Sequence, residues 1–135
     1  VNVQVIADPA GRLIWASPAL PGARHDAGAA REHGIPAALA AAGESTFADT
    51  AYIGAGTTIR VPFRRLRHDP RSHLFTRREL SADQKAVNTS ISQMRAPGER
   101  ANADLKSWCL LRKIRSSPAH ATRLVNAVLV LILNS

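Results

Sequence analysis

Cysteine occurs once in these 135 residues, as Cys109, so no internal disulfide can form and a thiolate-based zinc quartet is excluded. The apolar stretch around Cys109 predicts a buried or half-buried thiol. A chain without a disulfide framework fits a reducing compartment, and a cytoplasmic location is expected. Aromatic residues make up only 4%, with two Trp, three Phe and a single Tyr. That is too few to build a base-stacking platform, and Trp15 and Trp108 are expected to serve packing. The longest apolar run, Leu124 to Leu133, is broken by Asn126 and falls well short of the ~20 residues that cross a bilayer. A membrane is therefore not an expected partner. Val1 to Ala7 carries no basic leader and Asp8-Pro9 interrupts it, so no signal peptide is expected there. The five histidines, His25, His33, His68, His73 and His120, lack metal-ligand spacing. Gly54-x-Gly56 lacks the rest of a phosphate-loop or dinucleotide fingerprint.

What is present is the material of one domain. Hydrophobic residues make up 45% of the chain, enough for a core, with no internal repeat and no flexible linker. Charge is divided unevenly. Residues 1–59 hold three basic and five acidic side chains, whereas residues 60–135 hold fifteen basic and five acidic ones. Arginine outnumbers lysine fifteen to three, and guanidinium forks suit phosphate. The second half is expected to face a polyanion, with nucleic acid the leading class.

Local pattern supplies the elements. V-N-V-Q-V-I-A alternates with period two, Asp8-Pro9-Ala10-Gly11 supplies a turn, and R-L-I-W-A-S returns, which predicts an opening β-hairpin. Asp26 is placed to cap a short helix ending near Gly34, and a second short helix spans Pro36 to Ala42 before Gly43. S-T-F-A-D predicts a strand ending at Asp49, T-A-Y-I-G-A-G a loop, and T-I-R-V-P-F an edge strand stopped near Pro62. Residues 64–78 read as a basic loop or insert. Ser81 is expected to cap a helix with Leu80, Val87, Ile91 and Met94 near one face. Pro97-Gly98 is expected to interrupt or kink it, and a second long helix should then run towards Arg112. Pro118 should open a last helix through Leu133, burying Leu124, Val128, Leu131 and Ile132. The class is α/β, with helices added at the end.

Two groups of residues invite chemistry. Asp49 ends a short strand just before Tyr52 and Gly54, where a carboxylate can project from a sheet edge into a cleft, although taken alone an aspartate capping a turn is the simpler reading. Arg95, Glu99 and Lys106 combine cations with a carboxylate, and Glu99, Asn102 and Lys106 share one helix face. Such a face can hold a divalent ion and phosphate, or it can be a surface salt-bridge lattice.

Four pieces in order carry a resemblance: V-Q-V-I-A-D-P-A-G-R-L-I-W at 3–15, P-A-L-P-G-A-R-H-D at 18–26, F-A-D-T-A-Y-I-G at 47–54, and R-A-P-G-E-R-A-N-A-D-L-K-S-W at 95–108. Together they resemble the DDE superfamily endonucleases, the transposases of the insertion-sequence 5 group, over nearly the whole chain. The resemblance implies a partial RNase H-like fold with an N-terminal β-hairpin and added C-terminal helices. Residues 1–135 would then form a catalytic domain lacking its first strand. Asp49 resembles the second acid of the triad and Glu99 its glutamate, so both are expected metal ligands for Mg2+ or Mn2+. Arg95 and Lys106 match the family's arginine and lysine around that glutamate, whereas Ser92 stands where the family has a tyrosine. Asp26 resembles a recurrent family aspartate outside the triad. Asp8 belongs to the hairpin turn and does not replace the first acid.

The implied activity is phosphodiester cleavage and strand transfer on insertion-element DNA, with this fragment inactive alone. The alternative is a catalytically dead DNA-binding or interaction remnant. Expected partners are double-stranded DNA, both element ends and target, and a second copy of the chain or an N-terminal segment that supplies the missing strand. Arg64, Arg65, Arg67, Arg71, Arg77, Arg78, Arg112, Lys113 and Arg115 are the expected backbone contacts.

Overall fold

The computed structural model describes residues 1–111 and 114–135, with the side chains at 67, 68 and 110 outside the description. The hairpin forms as expected: β1 (Val5–Ala7) pairs antiparallel with β2 (Leu13–Ala16), and an isolated bridge between Asn2 and Leu20 extends the ribbon. Its turn is closed by Asp8, whose carboxylate accepts from the Arg12 backbone N–H at 2.9 Å and from Arg12 Nε at 2.7 Å. These contacts, the backbone one first, hold the Asp8 carboxyl below its ordinary value of 3.8. The stabilisation they give is fully present above that value and is lost as pH falls through the lowered one. Gly11 completes the turn at φ +85, a conformation that disfavours any Cβ.

Side chains from both sides of this ribbon pack against the body: a β-bulge between Ile6 and Ala7 breaks the strict alternation, so Leu13 and Trp15 join different clusters while Ile14 stays exposed. Val5, Ala7 and Leu13 pack with Ala101, Leu105 and Val128 from the two long helices. Ile6 and Trp15 on the other face pack with Ala30, Ile35, Ala55 and Ile59. That second layer holds α1 (Asp26–Glu32) and α2 (Ile35–Ala42). It also holds a short parallel pair, β3 (Thr46–Phe47) with β4 (Ile59–Arg60), joined through a 3-10 turn at Thr50–Tyr52. The chain is thus mixed α/β. Among the described residues its strands form three separate two-stranded ribbons.

The long helices depart from expectation. Instead of breaking at Pro97-Gly98, α3 runs unbroken over Ala82–Ser107. Its start is fixed by a reciprocal capping box, in which Ser81 Oγ accepts from the Gln84 N–H and Gln84 Oε1 accepts from the Ser81 N–H. Pro97 forfeits a single backbone bond, and its turn rests against the hairpin: a Cβ added at Gly11 would lie 3.3 Å from the Pro97 carbonyl oxygen. Tertiary packing on both sides of the proline outweighs its helix-breaking tendency. Ile91, Ala101 and Leu105 are the buried residues of α3; Val87 and Met94 share a face with Ile91, as expected, but are exposed along an open groove. After a 3-10 turn at Cys109–Leu111, α4 (Pro118–Leu133) buries Ala121, Val125 and Val128, with Ile132 beside them and Leu131 exposed. Thr122 Oγ1 accepts from the Ala19 N–H at 2.9 Å and ties α4 to the end of the hairpin. Cys109 is exposed, not buried, because the chain leaves α3 just before it.

The basic segment, expected as a loop or insert, is an inserted hairpin: β5 (Leu66–His68) pairs antiparallel with β6 (Phe75–Arg77). It projects as an arm whose strands pack chiefly on each other.

Candidate active site

Asp49 lies two residues beyond β3. Where a longer strand was expected to end on it, the strand stops at Phe47, and Asp49 caps the 3-10 turn with Oδ1 accepting from the Ala51 N–H at 2.8 Å. The side chain is exposed. The bland role foreseen for it, capping a turn, is therefore real, and it leaves Oδ2 without a hydrogen-bond partner among the described residues. The turn itself is anchored beneath. Tyr52, its last residue, donates its hydroxyl to Gln4 Oε1 on the hairpin.

Gln4 is 3% exposed and belongs to a polar network that sequence reasoning missed. Its amide donates to Asn2 Oδ1 at 2.6 Å and to Asp26 Oδ1 at 3.3 Å, and Asn2 Nδ2 donates to the same Asp26 oxygen at 2.8 Å. Asp26 therefore does not cap α1. The N-cap residue is His25, without a side-chain bond, and Asp26 opens the helix facing the network. The Tyr52 phenol is pushed up to about 12, first by burial and then by the negative charges of Asp26 and Asp49. Both aspartates thus act on one hydroxyl. The signal available in the sequence was the polar pair Asn2 and Gln4 on alternate positions just before β1, which looks like a solvent face until Tyr52 and Asp26 cover it.

Glu99 stands on α3. Because the helix is continuous, Arg95, Glu99, Asn102 and Lys106 fall at spacings of four, three and four and share one stripe. Arg95 Nη2 donates to Glu99 Oε1 at 2.7 Å, with the Arg95 side chain 21% exposed and that of Glu99 63% exposed. Asn102 is half-buried and Lys106 exposed. A break at Pro97 would have rotated Arg95 away from Glu99, so the unforeseen continuity is what assembles this face.

Glu99 stands on α3, and it is Phe47, two residues before Asp49, that meets this helix. Phe47 packs in an open groove with Ala86, Val87, Ser90, Ile91 and Met94 of α3. Glu99 lies five residues past Met94, about 8 Å further along the axis. Of the expected DNA contacts, Arg64, Arg65, Arg71, Arg77 and Arg78 are exposed on the arm, and Arg115 is exposed before α4. The Arg67 side chain, and Arg112 and Lys113 altogether, lie outside the described residues.

Compared with known proteins, the chain matches the family described as DDE superfamily endonuclease over residues 1–132. It belongs to that family. No curated protein matches the chain, and no solved structure does. DDE superfamily endonucleases are of transposase or nuclease kind, act on DNA and generally use divalent metal ions. Among the described residues, no three His, Cys, Asp or Glu side chains gather where they could hold a metal. Asp49 and Glu99, the two carboxylates expected as ligands, are each engaged through one oxygen only. Either carboxylate is of the donor type that Mg2+ takes, since that ion commonly binds one or two protein carboxylates and fills the remainder with water and phosphate oxygens. No helix among the described residues is long and apolar enough to cross a membrane.

Proposed function

We propose that this chain is the later part of the RNase H-like catalytic domain of an insertion-sequence 5 group transposase, cutting and rejoining phosphodiesters at element ends and target DNA. Asp49 and Glu99 are its second and third acids, and the first acid is contributed by polypeptide outside these residues. The observation that carries the proposal is the family match over residues 1–132, combined with a helix that holds Arg95, Glu99, Asn102 and Lys106 on one face.

The bound Mg2+ or Mn2+ would lower the pKa of the attacking hydroxyl and offset charge developing on phosphorus. Asp49, fixed at a capped turn, and Glu99, on a rigid helix, contribute one carboxylate each. Arg95 orients Glu99 through their 2.7 Å contact, and its remaining N–H groups are available to a phosphate oxygen. Lys106, two turns beyond Glu99, adds a point charge to hold the DNA backbone. Water and a DNA 3′-hydroxyl can use the same residues in succession, so cleavage and strand transfer need no covalent protein intermediate.

The test is nicking of supercoiled plasmid by this chain produced together with the in-frame segment encoded upstream. Asp49→Asn and Glu99→Gln should each lower metal-dependent nicking by at least about 100-fold while DNA binding persists. Nicking that survives either substitution would remove that residue from the assignment. A metal-independent product would remove the mechanism.

A further inference from the structure

The arm formed by β5 and β6 is ordered at its root, along its length and at its tip, yet almost all of it is exposed. At the root, Asn88 of α3 grips the backbone of Phe63 twice: the Phe63 N–H donates to Oδ1 at 2.7 Å and Nδ2 donates to the Phe63 carbonyl at 3.0 Å. The returning strand re-enters the body at Leu80, which is buried, and at the Ser81–Gln84 capping box. At the tip, Asp69 accepts from the Arg71 N–H at 2.9 Å and from Ser72 Oγ at 2.8 Å, while its own N–H donates to the Leu74 carbonyl at 2.8 Å. His73 closes the bend at φ +55.

A ribbon this exposed normally hides its apolar side chains. Here Leu66, Leu74 and Phe75 are 48%, 65% and 61% exposed. Arginines occupy both faces and the end: Arg77 shares a face with its partner Leu66, Arg65 and Arg78 stand on the opposite one, and Arg71 is in the tip. Basic residues on both faces suit a ligand with two negatively charged walls.

Resting on the proposed transposase reading, we infer that this arm enters the major groove of duplex DNA tip first. Arg71 then points to base edges, Arg65 and Arg77 lie against the opposing phosphate walls, and Asn88 fixes the angle of entry. A two-stranded ribbon with side chains on both faces is roughly 10 Å thick, which fits a major groove of about 12 Å and not a standard minor groove of about 6 Å. The groove is about 8.5 Å deep, so the tip enters while the strands stay at the lip, within reach of the phosphates. Arginine at the floor favours guanine, whose N7 and O6 both accept. Because tip and root are ordered beforehand, binding does not have to pay for folding the arm.

The experiment is fluorescence anisotropy of the full chain on a labelled duplex over a range of salt concentrations. The arm variant Arg65→Ala/Arg71→Ala/Arg77→Ala should flatten the slope of log K against log salt by about two, since Arg65 and Arg77 each make a phosphate contact worth about 0.9. Asn88→Ala leaves every charge in place, so it should weaken binding several-fold with the slope unchanged. A duplex whose cytosines carry glucosylated hydroxymethyl groups, which fill the major groove, should bind the wild-type chain at least tenfold more weakly and make little difference to the arm variant. Netropsin in the minor groove should not compete. Circular dichroism showing equal helix content in all variants excludes misfolding as the cause. Wild-type affinity and slope in the arm variant would overturn the inference and leave the transposase reading intact. Competition by netropsin without any effect of the filled major groove would overturn the choice of groove. A wild-type chain that binds no duplex at low salt would overturn both readings.

Discussion

Tyr52 gives a sharp test of the buried network under the Asp49 turn, because it is the single tyrosine in the chain. Its phenol is pushed up to about 12 from an ordinary 10.0, by burial first and by Asp26 and Asp49 next, while its bond to Gln4 works in the opposite direction. At pH 11 an ordinary tyrosine is about 90% ionised, whereas one with a pKa near 12 is only about 10% ionised. Absorbance at 295 nm followed from pH 8 to 13 reports this one group, since tryptophan does not titrate there. The neutral phenol is the form the fold prefers. Its contribution to stability is therefore fully present below about pH 10 and is lost as pH rises through about 12, so far-ultraviolet circular dichroism should begin to fall within that window. Asp26→Asn should move the midpoint down by removing one of the two repelling charges, and Asp49→Asn should do the same to a smaller degree. Asp26→Asn also disturbs the bonds from Asn2 and Gln4, so the Asp49 variant is the cleaner probe of charge. A wild-type midpoint at 10, with folded circular dichroism, would refute the burial of Tyr52 and its proximity to both aspartates.

Three further substitutions test the packing. Gly56→Ala would place its Cβ 2.8 Å from Pro36 Cβ, a stiff ring carbon, and should cost about 1–3 kcal/mol of stability in chemical denaturation. Val128→Ala empties a fully buried site between the hairpin and both long helices, and should cost about 2 kcal/mol, or roughly 5–10 °C in Tm by calorimetry. Ser81→Ala removes the cap of α3 and should cost about 1 kcal/mol. An unchanged Tm for Val128→Ala would mean that α4 does not dock where it is described.

The sequence made the hairpin, the two short helices and α4 legible, because each carries its own punctuation: Asp8-Pro9-Ala10-Gly11, the Pro36 and Gly43 limits, and Pro118. It also pointed to Asp49 and Glu99 through motif order. Three features depended on partners distant in sequence. The continuity of α3 through Pro97 depends on the Gly11 turn, some 86 positions away, against which that segment rests. The arm's six arginines outweigh its short alternation, so composition suggested a loop where cross-strand pairing makes a ribbon. Asn2, Gln4 and Asp26 each look locally sufficient, as surface positions or a helix cap, and only folding brings them to Tyr52. Cys109 differs for a related reason: its apolar neighbours predict burial, but the helix ends before it and the thiol is exposed.

The most direct test of the central claim, that Asp49 and Glu99 ligate the metal of a DNA-cutting site, is a change of metal preference. Asp49→Cys and Glu99→Cys, each produced with the upstream segment, should lose Mg2+-supported plasmid nicking by at least about 100-fold and recover part of it in Mn2+, which accepts a thiolate ligand that Mg2+ refuses. Nicking in Mg2+ that withstands either substitution, or a loss that Mn2+ does nothing to restore in both, would contradict the assignment of these two carboxylates.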